Sequence, residues 1–179
     1  LGGAHPYFAN RPAPNGGQQQ PILRGRETVD EPEYLTDAFG REAVAFIDRH
    51  HDHPFFLQLT FNAVHNPLQA PDKYLDRFKN IPDEKHQKYA AMLSALDDNV
   101  GRALAALQKH NLDEQTLVFF VSDNGGPEAT TSSNVPLSGR KGSVWEGGIR
   151  IPFVLRWTGR VPAGLLSRAT ARIPAKRTT

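Results

Sequence analysis

The apolar positions fall into two kinds of pattern. From Thr36, a good N-cap residue, Phe39, Ala43, Phe46 and Ile47 recur at three- and four-residue spacing as far as Arg49, which predicts an amphipathic helix. Residues 83–110 carry a longer stripe of Tyr89, Met92, Leu93, Leu96, Val100, Leu104 and Leu107. It predicts a second helix ending near Asn111, a residue that tolerates the left-handed conformation of a helix end. Residues 55–61 and 116–121 are nearly continuous apolar runs of strand length, as expected of strands buried on both faces of a parallel sheet. A short helix is expected over 72–78, a third strand over 151–157 and at most a short strand near Ile22-Leu23. Helix and strand in alternation predict an α/β fold with a parallel sheet. No internal repeat is visible.

The remaining segments are polar. Residues 1–33 hold Pro6, Pro12, Pro14, Pro21 and Pro32, an Asn15-Gly16-Gly17 turn signal and three consecutive glutamines, and read as loop. Residues 126–150 form a second polar, Gly-rich stretch. A loop of that length without secondary structure of its own is usually functional.

Composition narrows the classes. A length of 179 residues suits one domain rather than two. With 39% hydrophobic and 22% charged residues the chain is globular in type, and no stretch approaches the roughly 20 apolar residues of a membrane helix. Leu1-Gly2-Gly3-Ala4 has neither the basic nor the apolar region of a signal peptide, so the chain is expected to be a piece of something longer. There is no cysteine, which excludes a disulfide scaffold, a zinc ribbon and a thiol nucleophile within these residues. The net charge of +2 is unevenly spread. Residues 1–146 hold 14 Lys/Arg and all 19 Asp/Glu, net −5, while residues 147–179 hold 7 Lys/Arg and no acid, net +7. An evenly basic face for nucleic acid is therefore not expected.

In an open parallel sheet, ligands bind beyond the carboxyl ends of strands. The first predicted strand runs into Asn62-Ala63-Val64-His65, and the second into Asp123-Asn124-Gly125-Gly126. Adjacent Asp123 and Asn124 offer a carboxylate and an amide oxygen, donors suited to a hard cation, although Asp-Asn-Gly is also an ordinary turn sequence. Lys141 stands beside Gly142 in the long loop, where an ammonium and nearby backbone amides suit a phosphate or sulfate group. Taken singly, a loop histidine or a loop lysine is more often without a role. Convergence of His65, Asp123, Asn124 and Lys141 on one sheet edge is what gives them weight.

Four runs resemble the sulfatases of the alkaline-phosphatase-like superfamily, in that family's order and approximate spacing. They are Pro54-Phe55-Phe56-Leu57 with Val64-His65-Asn66-Pro67-Leu68-Gln69-Ala70-Pro71, Leu96-Asp97-Asp98-Asn99-Val100-Gly101, Ser122-Asp123-Asn124-Gly125-Gly126, and the long stretch from Pro136-Leu137-Ser138-Gly139-Arg140-Lys141-Gly142 through Trp145-Glu146-Gly147-Gly148-Ile149-Arg150-Ile151-Pro152. The resemblance implies a three-layer sandwich with a mostly parallel central sheet, incomplete in this chain. Residues 1–164 would be the C-terminal portion of the catalytic domain and 165–179 a basic tail. It further implies that Asp123 and Asn124 are ligands of a calcium ion, that Lys141 contacts the sulfate, and that His65 helps protonate the leaving group. The substrate would be a sulfated small molecule or carbohydrate, with no nucleic-acid partner and no membrane segment. The compartment would be periplasmic, extracellular or lysosome-like.

Other parts of the family pattern are missing. There is no paired aspartate after a first strand, no Cys-x-Pro-Ser-Arg motif whose cysteine becomes formylglycine, and no lysine and histidine following it. None of the serines begins the corresponding serine motif. Asp97-Asp98 lies mid-helix and reads as structural or solvated rather than as the metal pair. Asn66 replaces a small residue or threonine of the family, which leaves His65 usable. The tail lacks the family's next helix start and reads as truncated or aberrant. The chain alone is expected to be inactive. The alternatives are a phosphoesterase of the same superfamily, and a non-catalytic anion-binding remnant whose tail is the binding element.

Overall fold

The computed structural model describes residues 6–8 and 21–165. Most of the N-terminal loop and residues 166–179 of the basic tail lie outside the described residues. The first regular element among the described residues is a small antiparallel hairpin, β1 (Ile22–Arg24) and β2 (Glu27–Val29), turning at Gly25-Arg26. The short strand expected at Ile22-Leu23 is β1.

The first amphipathic pattern is helix α1 (Leu35–His50), whose buried face is Leu35, Ala38, Ala43 and Ile47. Thr36 is not its cap. The cap position is Tyr34, which offers no side-chain acceptor, and the Leu35 amide instead donates to the Tyr7 carbonyl at 2.9 Å. A backbone acceptor from a distant segment does the work of a capping side chain, so the helix starts two residues early and Thr36 is buried in its first turn.

The longest pattern is helix α3 (Glu84–Lys109), capped by Asp83, whose carboxylate accepts from the His86 amide at 2.7 Å. Asn111, just past its end, has a positive φ of 57°, as its residue type predicts. Between the two lie helix α2 (Asp72–Leu75) and a 3-10 turn over Asp76–Phe78. Together they fill the span predicted for one short helix.

Helix α3 takes part in two apolar clusters, and the second packs it against α1. One gathers Tyr7, Tyr34, Tyr74, Ala91, Met92 and Ala95, and the other Ile47, Ala106 and Leu107 with Phe55, Leu57 and Val118 packed on it. A polar bridge links the same two helices. Asn99 Nδ2 and the Tyr74 hydroxyl both donate to Asp37 Oδ1, at 2.8 and 2.7 Å, and the Lys73 ammonium lies 2.8 Å from Asp37 Oδ2. Burial pushes the Asp37 carboxyl up, and hydrogen bonds from Lys73, Tyr74 and Asn99 outweigh it, leaving it below the usual carboxylate range.

The strands depart from expectation. Strand β3 (Val118–Val121) ends as predicted, and β4 (Phe153–Arg156) is the predicted third strand, but they pair antiparallel, Val118 opposite Arg156 and Val121 opposite Phe153. Residues 55–61 join no ladder among the described residues. They run extended beside α1, with Phe55 edge-on to Phe46 and Phe61 edge-on to Phe39. Phe55, Leu57, Leu59 and Phe61 are half-buried, while Phe56, Gln58 and Thr60 are exposed, Phe56 by 86%. Helix α1 covers the Phe55 and Phe61 side, and the alternate side carries Phe56 beside the polar Gln58 and Thr60. The run's other side, together with β3 and the Tyr89, Leu93, Leu96 and Val100 face of α3, bounds an open cleft of about 1520 Å³. The α3 stripe is thus divided: Met92 is buried, whereas Leu93 is 46% exposed to the cleft. No helix among the described residues is long and apolar enough to cross a membrane.

Candidate functional site

His65 stands on the loop that continues the extended run. Its amide donates to the Asn62 carbonyl at 2.9 Å, closing a tight turn, and its ring is exposed. Nδ1 lies 2.7 Å from the Asn66 carbonyl oxygen. A carbonyl only accepts, so Nδ1 carries the proton and Nε2 is the nitrogen left for a ligand.

Asp123 and Asn124 follow β3 after a single residue, Ser122. The Ser122 hydroxyl donates to the Asn124 carbonyl at 2.9 Å, and the Gly125 amide donates to the Gly148 carbonyl at 2.9 Å. A Cβ on Gly125 would stand 1.8 Å from the Gly147 carbonyl oxygen, so only glycine lets the strand end meet the Gly147-Gly148 backbone of helix α4 (Glu146–Ile149). The following Gly126 is bracketed by one side chain. Asn134 Oδ1 accepts from its amide at 2.9 Å while Asn134 Nδ2 donates to its carbonyl at 2.8 Å.

The same Gly126 carbonyl accepts from the Lys141 amide at 3.3 Å, and the Gly147 amide donates to Ser138 at 2.7 Å. The long loop is therefore tied at several points to the end of β3. It also has short secondary structure of its own, a 3-10 turn over Glu128–Thr130 and α4, contrary to the expectation of a plain loop.

All four candidates, His65, Asp123, Asn124 and Lys141, line that same open cleft. Neither the Asp123 carboxylate nor the Lys141 ammonium makes an ion pair among the described residues, whereas Arg77, Arg140 and Arg156 each hold a carboxylate. Two opposite charges left unpaired at one rim are available to a ligand. Asp97 and Asp98 are not part of this site. Asp97 is exposed on α3, and Asp98 accepts two hydrogen bonds from Arg77, at 3.0 and 2.7 Å.

Arg150 also lines the cleft, at the end of α4. It stood within a motif run, but nothing in its spacing distinguished it from other loop arginines. Asn134 likewise gave no signal, since its role depends on a backbone brought beside it only by folding.

No group of three or more His, Cys, Asp or Glu among the described residues could hold a metal ion. Asp123 and Asn124 match a hard, oxygen-seeking cation in chemistry and supply two donors of the six to eight that calcium takes.

A model of the sulfatase family matches residues 3–175. Among curated proteins, the chain is 42% identical over 97 residues to arylsulfatase J of Mus musculus, covering 54% of this chain and 16% of that protein. It is 40% identical over 142 residues to a sulfatase of Formosa agariphila, covering 72% and 26%. Among solved structures it resembles Ps i-CgsB, crystallised in complex with k-i-k-neocarrahexaose, at 41% identity and a TM-score of 0.84, over 92% of this chain and 40% of that one. The chain thus spans between about a sixth and a quarter of the length of these two curated relatives.

Proposed function

Because the chain belongs to the sulfatase family, and so to the α/β alkaline-phosphatase-like fold, we propose that its cleft is one part of a site that hydrolyses sulfate esters. The observation that carries this is that His65, from the loop after residues 55–61, Asp123 and Asn124, from the segment after β3, and Lys141, from the long loop, line a single cleft. Each brings a different capacity. The Lys141 ammonium attracts the sulfate oxygens, an electrostatic contribution that is largest where charge develops on the reacting group. His65, with Nδ1 engaged by Asn66, presents Nε2, from which a protonated ring donates to the departing ester oxygen.

Asp123 and Asn124 would hold a hard cation, with the remaining donors coming from outside the described residues. When bound, such an ion supplies positive charge beside the anionic substrate. Formylglycine does not fit this chain, which has no cysteine to be converted, so the nucleophilic step is not assigned to any residue here. The similarity to a protein crystallised with a neocarrahexaose favours a sulfated carbohydrate over a small aryl ester.

Titration of the chain with sodium sulfate, followed by NMR, tests the reading. Shifts confined to His65, Lys141 and their neighbours, and abolished by Lys141→Ala, are expected. Uniform shifts that Lys141→Ala leaves unchanged would refute it.

A further inference from the structure

We propose that Tyr7 is a positioning residue for His65, its hydroxyl fixing the backbone turn from which the imidazole projects. The inference rests on the role proposed for His65 in sulfate-ester chemistry. Tyr7 is fully buried although it lies 58 residues from His65 in a Pro-rich segment. All of its polar groups are used. Its amide donates to Gln69 Oε1 at 3.0 Å, its carbonyl accepts from the first amide of α1, and its hydroxyl lies 2.5 Å from the Asn62 carbonyl oxygen and 2.8 Å from that of His65.

The two carbonyls belong to the first and last residues of the 62–65 turn. The Asn62 carbonyl already accepts from the His65 amide, so the tyrosine hydroxyl joins both ends of a turn that is itself closed by a hydrogen bond. One hydroxyl has one proton, which the two oxygens share. Removing the hydroxyl leaves the Asn62 carbonyl with the His65 amide as its donor and takes from the His65 carbonyl the bond that ties it to the other end of the turn. Burial pushes the Tyr7 phenol far up, so it stays a donor across any working pH.

The ring is held as firmly as the hydroxyl. It stacks on Tyr34 at 5.6 Å between centroids, and the Tyr34 hydroxyl donates to the Gln69 carbonyl at 2.9 Å, four residues beyond His65. Tyr34 therefore makes a bond of the same type in the same cluster without touching the His65 turn, and it serves as an internal control. A purely space-filling role for Tyr7 would require the ring alone.

The test compares Tyr7→Phe and Tyr34→Phe in the full 179-residue chain by NMR. In Tyr7→Phe the His65 amide is expected to exchange about tenfold faster, the loss expected for one hydrogen bond, and the imidazole to lose its single Nδ1-protonated tautomer. Amides of α3 keep their rates. In Tyr34→Phe both His65 readouts remain as in the parent. Should Tyr7→Phe not fold, the parent chain still decides: the Asn62 and His65 carbonyl carbons should show a deuterium isotope shift from the Tyr7 hydroxyl, and its absence would overturn the proposal. So would an unchanged His65 in Tyr7→Phe, or an equal disturbance in Tyr34→Phe. Sulfate titration of the parent is a separate readout, whose failure counts against the sulfate-ester reading and leaves the Tyr7 result standing.

Discussion

Asn99 lies so close to Gly40 that a Cβ on the glycine would stand 2.0 Å from Asn99 Oδ1. Asn99 cannot yield, because its amide donates to Asp37 and to the Ala95 carbonyl, each at 2.8 Å, while its oxygen accepts from Arg102 at 2.9 Å. Gly40→Ala should therefore destabilise the α1–α3 pairing. The overpacking cost of about 1–3 kcal/mol exceeds the roughly 1 kcal/mol that alanine gains over glycine in a helix. Urea denaturation followed by circular dichroism should show a lower midpoint, and an unchanged or raised one would refute the close contact.

Acid should act through Asp37. Its carboxyl is held below its unfolded value, so the stabilisation is present above the usual carboxylate pKa of about 3.9 and is lost as pH falls through the lower folded value. The chain is expected to keep its stability down to about pH 4 and lose it below. Asp37→Asn should be less stable at neutral pH and show a shallower acid limb in thermal denaturation. An acid limb as steep as the parent's would remove Asp37 from the explanation.

Calcium added at millimolar concentration should shift the NMR signals of Asp123 and the Asn124 side-chain amide. Asp123→Ala should abolish the effect, whereas Asp97→Asn and Asp98→Asn should leave it intact, since Asp98 is engaged by Arg77. Equal loss in Asp98→Asn would return the helical pair to contention.

The chain by itself should release sulfate from an aryl sulfate no faster than buffer, because it contains no cysteine from which a formylglycine could form. A rate well above buffer, retained after repeated purification, would show that the nucleophile is of another kind.

Phe56, Phe119 and Phe153 expose large apolar surface along the extended run and the β3–β4 pair. Open apolar strands of this kind recruit one another. Phe56→Lys should lower light scattering at fixed concentration while leaving the helical circular dichroism unchanged, since the ring packs on neither cluster. Unaltered scattering would mean that another surface drives association.

Both long helices were legible in the sequence because 3.6-residue periodicity, the Asp83 cap and Asn111 are local signals. Strand positions at β3 and β4 were legible for the same reason. Their antiparallel pairing was not, since register and direction depend on which neighbour lies alongside. Residues 55–61 carry the composition of a doubly covered strand, yet strand character needs hydrogen-bonding partners that a sequence pattern cannot supply.

The same division runs through the site. By itself the sequence determined the family's motifs, the identities of His65, Asp123, Asn124 and Lys141, and the lack of a cysteine, because side-chain chemistry and spacing are written in order along the chain. Only the tertiary structure decided that these residues face one cleft, that Nδ1 of His65 is occupied, and that Tyr7 and Asn134 fasten the turns beneath them. Those facts depend on backbone carbonyls and amides, which every residue carries alike, and which acquire individual roles only when folding brings a particular donor within 3 Å of a particular acceptor.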